Sequence, residues 1–354
     1  MAVAPRFAPF EILDLRQVRA RALAPLFEEE EKDWGERLHW DYHSSVEMIR
    51  RHLDARSLPG YIAMRQGVVA GYTFFVYEDD KGLLGDLYVA EAFRDERPFA
   101  DAPDSGAPDS GARGVATALL ERALETLQHT PGLRRIEAQL LDFGLEPLEP
   151  VFSARGFRCF PRLFFYKQLA PAQPGVPQPA PLLAGPPVAP ARAVAGAELR
   201  AWEDGHFEPM AELIVAAYRG HPDSQINDHY GNTAGALRFL KNIVLFPGCG
   251  VFQADASVVA VAAGGGEGPL LGAVLTSQVA RGVGHVTQVC VRPEWQGRGL
   301  GRRLLEAALR RLEAKGCHGA SLTVTAENRG AVSLYRSMGF AVIKEFAAYS
   351  RELP

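Results

Sequence analysis

The run HVTQVCVRPEWQGRGLGRRLL, residues 285–305, changes its period in the middle. From His285 to Val291 it alternates and is rich in β-branched side chains, which suits a strand with at least one buried face. Arg292-Pro293-Glu294 stops that strand. Gln296-Gly297-Arg298-Gly299-Leu300-Gly301 then opens into Leu304, Leu305, Ala308, Leu309 and Leu312, whose three-and-four spacing marks one face of an amphipathic helix. A glycine-rich turn from a strand into a helix N-terminus is suited to an anion. Backbone N–H groups without Cβ atoms in the way can close around a phosphate, and the helix dipole adds a positive field.

Two familiar phosphate loops do not fit. A dinucleotide fingerprint needs G-x-G-x-x-G, but here Gly299 is followed by Gly301 and then by Arg302 and Arg303, and no Gly-Lys-Ser/Thr ending of a P-loop is present. The residues spell Gln-x-x-Gly-x-Gly with Arg298, Arg302 and Arg303 around it. Downstream, residues 321–325 alternate as a strand, Asn328 is placed as a helix N-cap, and Ala331, Val332, Tyr335 and Met338 share a helical face that ends at Gly339. Together these two motifs resemble the GNAT superfamily of N-acetyltransferases. The likeness covers residues 199–354 well and the first half weakly.

The resemblance implies acetyl-CoA as co-substrate and no metal. It assigns cofactor contacts to Cys290, Val291, Gln296, Gly297, Arg298, Gly299, Leu300, Gly301, Arg302, Asn328 and Tyr335. Backbone N–H groups near residues 289–291 would stabilise the oxyanion, at the place where GNAT strands splay. Tyr335 is the expected acid for the departing thiolate. Many GNAT enzymes carry a glutamate base on the central strand; this strand offers only His285, Thr287 and Gln288. His285 has a suitable intrinsic pKa, with a solvent-exposed strand-end histidine as its plain alternative, and water-relayed deprotonation stays open.

With 354 residues the chain is long enough for two cores, and 47% hydrophobic and 23% charged residues are those of a soluble globular protein. A net charge of -4 argues against nucleic acid or an anionic membrane as the main partner. Cys159, Cys249, Cys290 and Cys317 lack C-x-x-C spacing and read as buried thiols in a reducing compartment. No basic segment leads into an apolar run at the start, and no apolar run has membrane-spanning length, so a cytoplasmic location is expected.

The first half repeats the second in outline. Residues 28–31 are an acidic run, Trp34, Trp40 and Tyr42 read as core aromatics, and residues 44–53 suit a helix. Strand signals cover 61–64, 68–77 and 82–89, with a turn at Gln66-Gly67. The tract 102–106 is repeated at 107–111 and cannot bury a core. A helix with Leu119, Leu120, Ala123, Leu124 and Leu127 on one face follows, then a strand at 135–141. Setting Gly299 on Gly114 gives an offset of 185, and Gly339 on Gly156 gives 183. In that register Gly111, Leu145 and Phe152 stand where the second half has Gln296, Asn328 and Tyr335. The first half is therefore expected to be a degenerate copy.

Prolines crowd residues 171–194 and predict a semi-rigid linker. The reading is two tandem GNAT folds, each a mixed, mostly antiparallel twisted sheet flanked by helices: 1–170 degenerate, 171–195 linker, 196–354 catalytic. In the second copy a helix is expected at 207–218 and strands at 257–263 and 270–279, and His221, Asp223, Asp228, His229 and Tyr230 are candidates to recognise an amine. The expected reaction is direct acetyl transfer from acetyl-CoA to the primary amine of a small molecule, with a homodimer as a possible assembly. Two alternatives are a noncatalytic CoA-binding module and an enzyme acting on a protein N-terminus or lysine.

Overall fold

The computed structural model describes residues 10–94, 114–145, 147–169, 194–246, 248–264 and 268–354. The tract repeated over 102–111, nearly all of the proline-rich stretch, and Gly265-Gly266 lie outside the described residues.

In the first half the elements are β1 (Glu11–Asp14), α1 (Ala24–Leu38), α2 (His43–Asp54), β2 (Gly60–Arg65), β3 (Val68–Glu78), β4 (Lys81–Val89), α3 (Val115–Gln128), β5 (Arg135–Leu140), α4 (Glu149–Ser153) and β6 (Arg158–Gln168). The second half runs β7 (Ala197–Ala201), α5 (Phe207–Tyr218), α6 (Asp223–Ile226), α7 (Thr233–Leu245), β8 (Val251–Phe252), β9 (Val258–Ala262), β10 (Gly272–Ala280), β11 (Val283–Val291), α8 (Leu300–Ala314), β12 (Gly319–Thr325), α9 (Arg329–Ser337) and β13 (Ala341–Glu352).

Two compact units result, and they do not follow the midpoint of the sequence. Of the described residues, the first takes those in Met1–Glu36, Tyr42–Pro161 and Phe346–Pro354, and the second those in Arg37–Asp41 and Arg162–Glu345. Within the first unit β1 to β4 form an antiparallel meander, β4 pairs parallel with β5, and residues 347–352 of β13 pair antiparallel with β5. Within the second unit β7, β9, β10 and β11 are antiparallel neighbours. There β11 pairs parallel with β12, and residues 162–168 of β6 pair antiparallel with β12 along its whole length. A strand from the other half of the sequence thus satisfies the backbone groups of β5 and of β12, which would otherwise be sheet edges.

Each sheet has a leucine-rich helix on one face. α3 buries Leu119, Leu120, Ala123, Leu124 and Leu127, the stripe its spacing predicted, and α8 buries Leu300, Leu304, Leu305, Ala308, Leu309 and Leu312. Full burial of a leucine is worth about 1.5–3 kcal/mol, so these stripes are a main source of each unit's stability. In the second unit α5 and α7 pack on the other face, over Leu275, Val259 and Cys290.

Two helices were not anticipated. α1 has Leu26, Phe27 and Leu38 buried, but Glu30, on the same face, is fully buried too and breaks the apolar pattern. α7 begins inside the Gly231 to Gly235 stretch, which reads as a loop until the Asn232 side chain accepts from the Gly235 N–H at 2.8 Å and caps it. The cysteines also differ from expectation: Cys290 and Cys317 are buried, Cys159 is half-buried and Cys249 is exposed. Cys249 lies in the connection before the two-residue strand β8. Among the described residues no helix is long and apolar enough to cross a membrane.

Candidate active site

The site starts from an irregularity in the central strand of the second unit. The register of β10 against β11 shifts between Leu275 and Thr276, so that Thr287 is an extra residue on β11. Such a bulge bends the strand. Parallel pairing of β11 with β12 covers only 283–286 against 319–322; past that point β12 pairs with β6 alone. The two strands part, and the backbone of residues 288–291 borders the gap without a ladder partner from β12.

At the end of β11 the glycine loop has the expected form. Gly297 and Gly299 sit at φ 70 and 83, and a Cβ built on either meets nothing within 4 Å. The left-handed backbone favours glycine at both positions, and without side chains there the space in front of the helix stays open for a ligand. Gly299 caps α8 without any side-chain hydrogen bond, so the helix offers its first N–H groups to a ligand. Gln296 Nε2 donates to the Val291 carbonyl at 3.0 Å and ties the loop back to the strand. Arg298 lies over the Trp295 ring at 5.1 Å, and Arg302 donates to Ser337 Oγ at 2.5 Å, joining α8 to α9. A cleft of about 690 Å³ nearby is lined by Leu163, Ala326, Arg329, Val332, Ser333, Arg336 and Ser337. Its two arginines are cations that the motif did not reveal. An open, uncapped helix terminus with flanking arginines fits a pyrophosphate.

Tyr335 comes from α9, whose start is fixed by Asn328: its Oδ1 accepts from the Ala331 N–H at 3.1 Å. The Tyr335 ring packs edge-on against Phe165 and Phe340, and its hydroxyl has no hydrogen-bond partner among the described residues. Burial, and after it the charge of Asp223, pushes its pKa up, so it stays a protonated donor. A second polar group at this end of β11 is Cys290, Gln288, Tyr218 and Tyr230, and Tyr335 interacts electrostatically with Cys290 and Tyr218. Gln288 Nε2 donates to the Tyr218 hydroxyl at 2.9 Å and to Cys290 Sγ at 3.2 Å, and Tyr218 stacks on Tyr230 at 4.3 Å. Burial pushes the Cys290 thiol up to about 12, which leaves it a protonated wall residue and not a nucleophile.

His285 is buried, 8% exposed, and the solvent-exposed alternative for it does not hold. Trp40 stands edge-on to its ring at 5.0 Å, Phe164 lies beside it, and Nδ1 is 2.9 Å from Ser321 Oγ. Burial in this aromatic setting lowers its pKa to about 4, so the imidazole is neutral at neutral pH.

The polar candidates between α5 and α7 separate into groups. Asp223 accepts a short hydrogen bond from Thr325 Oγ1, the last residue of β12, and Arg162 donates to the same hydroxyl at 2.9 Å. His221 Nε2 lies 3.0 Å from Asn328 Nδ2. Tyr230 lines the wall, whereas Asp228 and His229 belong to a short turn that the Asn227 side chain caps through the His229 N–H. Arg162, Thr325 and Tyr218 were missed as site residues. Arg162 had no signal, being brought in by a strand pairing across 163 residues.

Comparison with known proteins follows this geometry. Residues 228–340 match the acetyltransferase (GNAT) family. The chain is 42% identical over 87 residues to the mycothiol acetyltransferase of Streptomyces avermitilis, covering 24% of this chain and 28% of that one. It is 27% identical over 248 residues to that of Saccharomonospora viridis, covering 68% and 70%. Among solved structures, a GCN5-related N-acetyltransferase from Sphaerobacter thermophilus superposes with TM-score 0.60 at 19% identity, over 97% of this chain and 95% of the other. A tandem GNAT protein from the clavulanic acid biosynthesis pathway superposes with TM-score 0.51 at 16% identity, over 97% and 98%. The parted strands, the glycine loop and the repeated architecture agree with these likenesses: residues 228–340 match the GNAT family, and the fold is similar to that of tandem GNAT proteins.

Proposed function

We propose that the second unit transfers an acetyl group from acetyl-CoA to a primary amine of a small molecule by direct attack. The observation that carries this reading is the unpartnered Tyr335 hydroxyl at a gap whose other end is the uncapped, glycine-lined N-terminus of α8. The relatives' name, mycothiol acetyltransferase, supports acetyl transfer as the reaction type.

In this reading the loop from Gln296 to Gly301, with Arg298 and Arg302, holds the pyrophosphate of acetyl-CoA, and Asn328 shapes the start of α9 beside its arm. Backbone N–H groups bordering the gap at Cys290 and Val291 polarise the thioester carbonyl. The amine nitrogen forms a bond to the carbonyl carbon while the C–S bond breaks. Tyr335 gives its proton to the departing thiolate and regains one from the nitrogen. The acceptor enters as an ammonium of pKa ~10 and must shed a proton before it attacks. A neutral His285 that titrates near 4 is a weak match for that proton; we assign it to holding water that carries the proton out.

The test is thioester consumption by the full chain with a panel of primary amines, alongside calorimetry with acetyl-CoA. The reading expects acetyl-CoA to bind and an amine to be acetylated. Acetyl-CoA that binds without turnover of any amine, peptide lysine or peptide N-terminus would favour a noncatalytic module.

A further inference from the structure

Asp223 stands apart from the other polar groups of the site. Its recorded side-chain contacts converge on one oxygen: Thr325 Oγ1 donates to Oδ1, Arg162 Nη1 lies 3.6 Å from Oδ1, and His221 Nδ1 lies 3.7 Å from it. Oδ2 has no partner among the described residues, and the side chain is 16% exposed, so the carboxylate is held in place yet reachable. Arg162 in turn donates to Thr325 Oγ1, so the hydroxyl hydrogen is directed at Asp223. Thr325 ends β12 where β12 has left β11, which places this carboxylate at the mouth of the gap.

We propose that Asp223 is the anchor for the acceptor's charged amine, binding the ammonium through Oδ2 and so selecting cationic primary amines. This rests on the acetyl-transfer reading above. A carboxylate fixed on one oxygen and free on the other is preorganised for a charge-assisted hydrogen bond, because its rotamer is already paid for by Thr325 and Arg162. The recorded approach of the Arg162 guanidinium is to Oδ1, at 3.6 Å. The negative charge is felt by the hydroxyls of Tyr335, Tyr218 and Tyr230, each of which it makes harder to ionise. In the reaction the anchored ammonium gives one proton to the water held at His285, which carries it to solvent. The neutral amine then adds to the thioester carbonyl, and its second proton goes to the thiolate by way of Tyr335.

The experiment uses the full chain with a matched pair of acceptors at about pH 8, ethylamine, which is charged there, and 2,2,2-trifluoroethylamine, which is not. In Asp223→Asn the KM for ethylamine is expected to rise about tenfold or more, the loss of one charge-assisted hydrogen bond, with the KM for trifluoroethylamine and for acetyl-CoA changed by less than about twofold. A merely structural Asp223 would move both amines alike, and that result, or no change in either, overturns the proposal. If Asp223→Asn does not fold, Thr325→Val serves: the carboxylate remains but loses its donor, and the ethylamine KM alone is expected to rise a few-fold. A wild type that binds acetyl-CoA but turns over neither amine overturns the anchor together with the amine reading. One that fails to bind acetyl-CoA overturns the acetyl-transfer reading at its root.

Discussion

The same aromatic pair occurs in both units with its hydroxyl on opposite partners. In the second unit Tyr335 of α9 meets Phe165 of β6; in the first, Phe152 of α4 stacks on Tyr349 of β13 at 3.7 Å. The offsets, 335 − 152 = 183 and 349 − 165 = 184, fall within the 183 to 185 of the repeat. Both central strands carry a bulge, at Gly85 and at Thr287, and both leave their parallel neighbour after four pairs. A Cβ on Gly85 would fall 2.1 Å from the Phe74 ring, so the first bulge is packed tight. Backbone architecture is thus common to the two units, and what differs is the chemistry placed on it. The first unit has a plain phenyl ring, Phe152, where α9 carries the Tyr335 hydroxyl, and it has buried carboxyls behind its bulge: Glu30, which takes a hydrogen bond from Tyr72 at 2.8 Å, faces Asp86, which takes one from Tyr42 at 2.7 Å.

That contrast can be broken by moving the hydroxyl. Tyr335→Phe is expected to lower kcat by about 10²–10⁴ with acetyl-CoA affinity unchanged, because only the acid is lost. Phe152→Tyr in the first unit is expected to restore nothing. Steady-state kinetics and calorimetry on both variants separate the two roles.

A smaller effect concerns the carboxyl pair. Burial, and after it the charge of Asp86, raises the pKa of Glu30 well above the ordinary carboxylate value, so the folded chain holds a proton that the unfolded chain gives up. Stability from this group is therefore present at low pH and falls as pH rises above the usual carboxylate range. Melting wild type and Glu30→Gln between about pH 5 and 8 is expected to show the wild type losing more, by on the order of 1 kcal/mol. Equal losses would mean that Glu30 does not hold that proton in the folded chain.

The smallest effect is an absence. Because His285 titrates near 4, the profile of kcat/KM is expected to show no imidazole inflection near 6.5 and to climb with the ionisation of the acceptor itself. The same lowered pKa has a cost in acid: unfolded His285 takes up a proton as pH falls from about 6.5 to 4 while the folded one does not, so stability drops through that window. An inflection near 6.5 that His285→Gln removes would restore His285 as the base.

Much of the fold was legible because local pattern and final structure agree. The strand-loop-helix of 285–305, the leucine stripes of α3 and α8, the Asn328 cap and the meander of the first half are all dictated within a window of about 20 residues. What escaped was set by distance or by burial of charge. Glu30 on the core face hid α1. The strand exchange that brings Arg162, Leu163 and Phe165 to the second unit has no local signature, since β6 reads as an ordinary strand wherever it pairs. The same pairing hid the partner of Asp223, which the sequence placed only within a polar loop.

The most direct test of the contrast between the units is native mass spectrometry of the full chain titrated with acetyl-CoA. One molecule bound per chain, lost in Gly299→Val through about tenfold or more weaker binding and kept in Gly114→Val, is the expected result. Two molecules bound, or one that survives Gly299→Val, would contradict it and make the first unit a cofactor site in its own right.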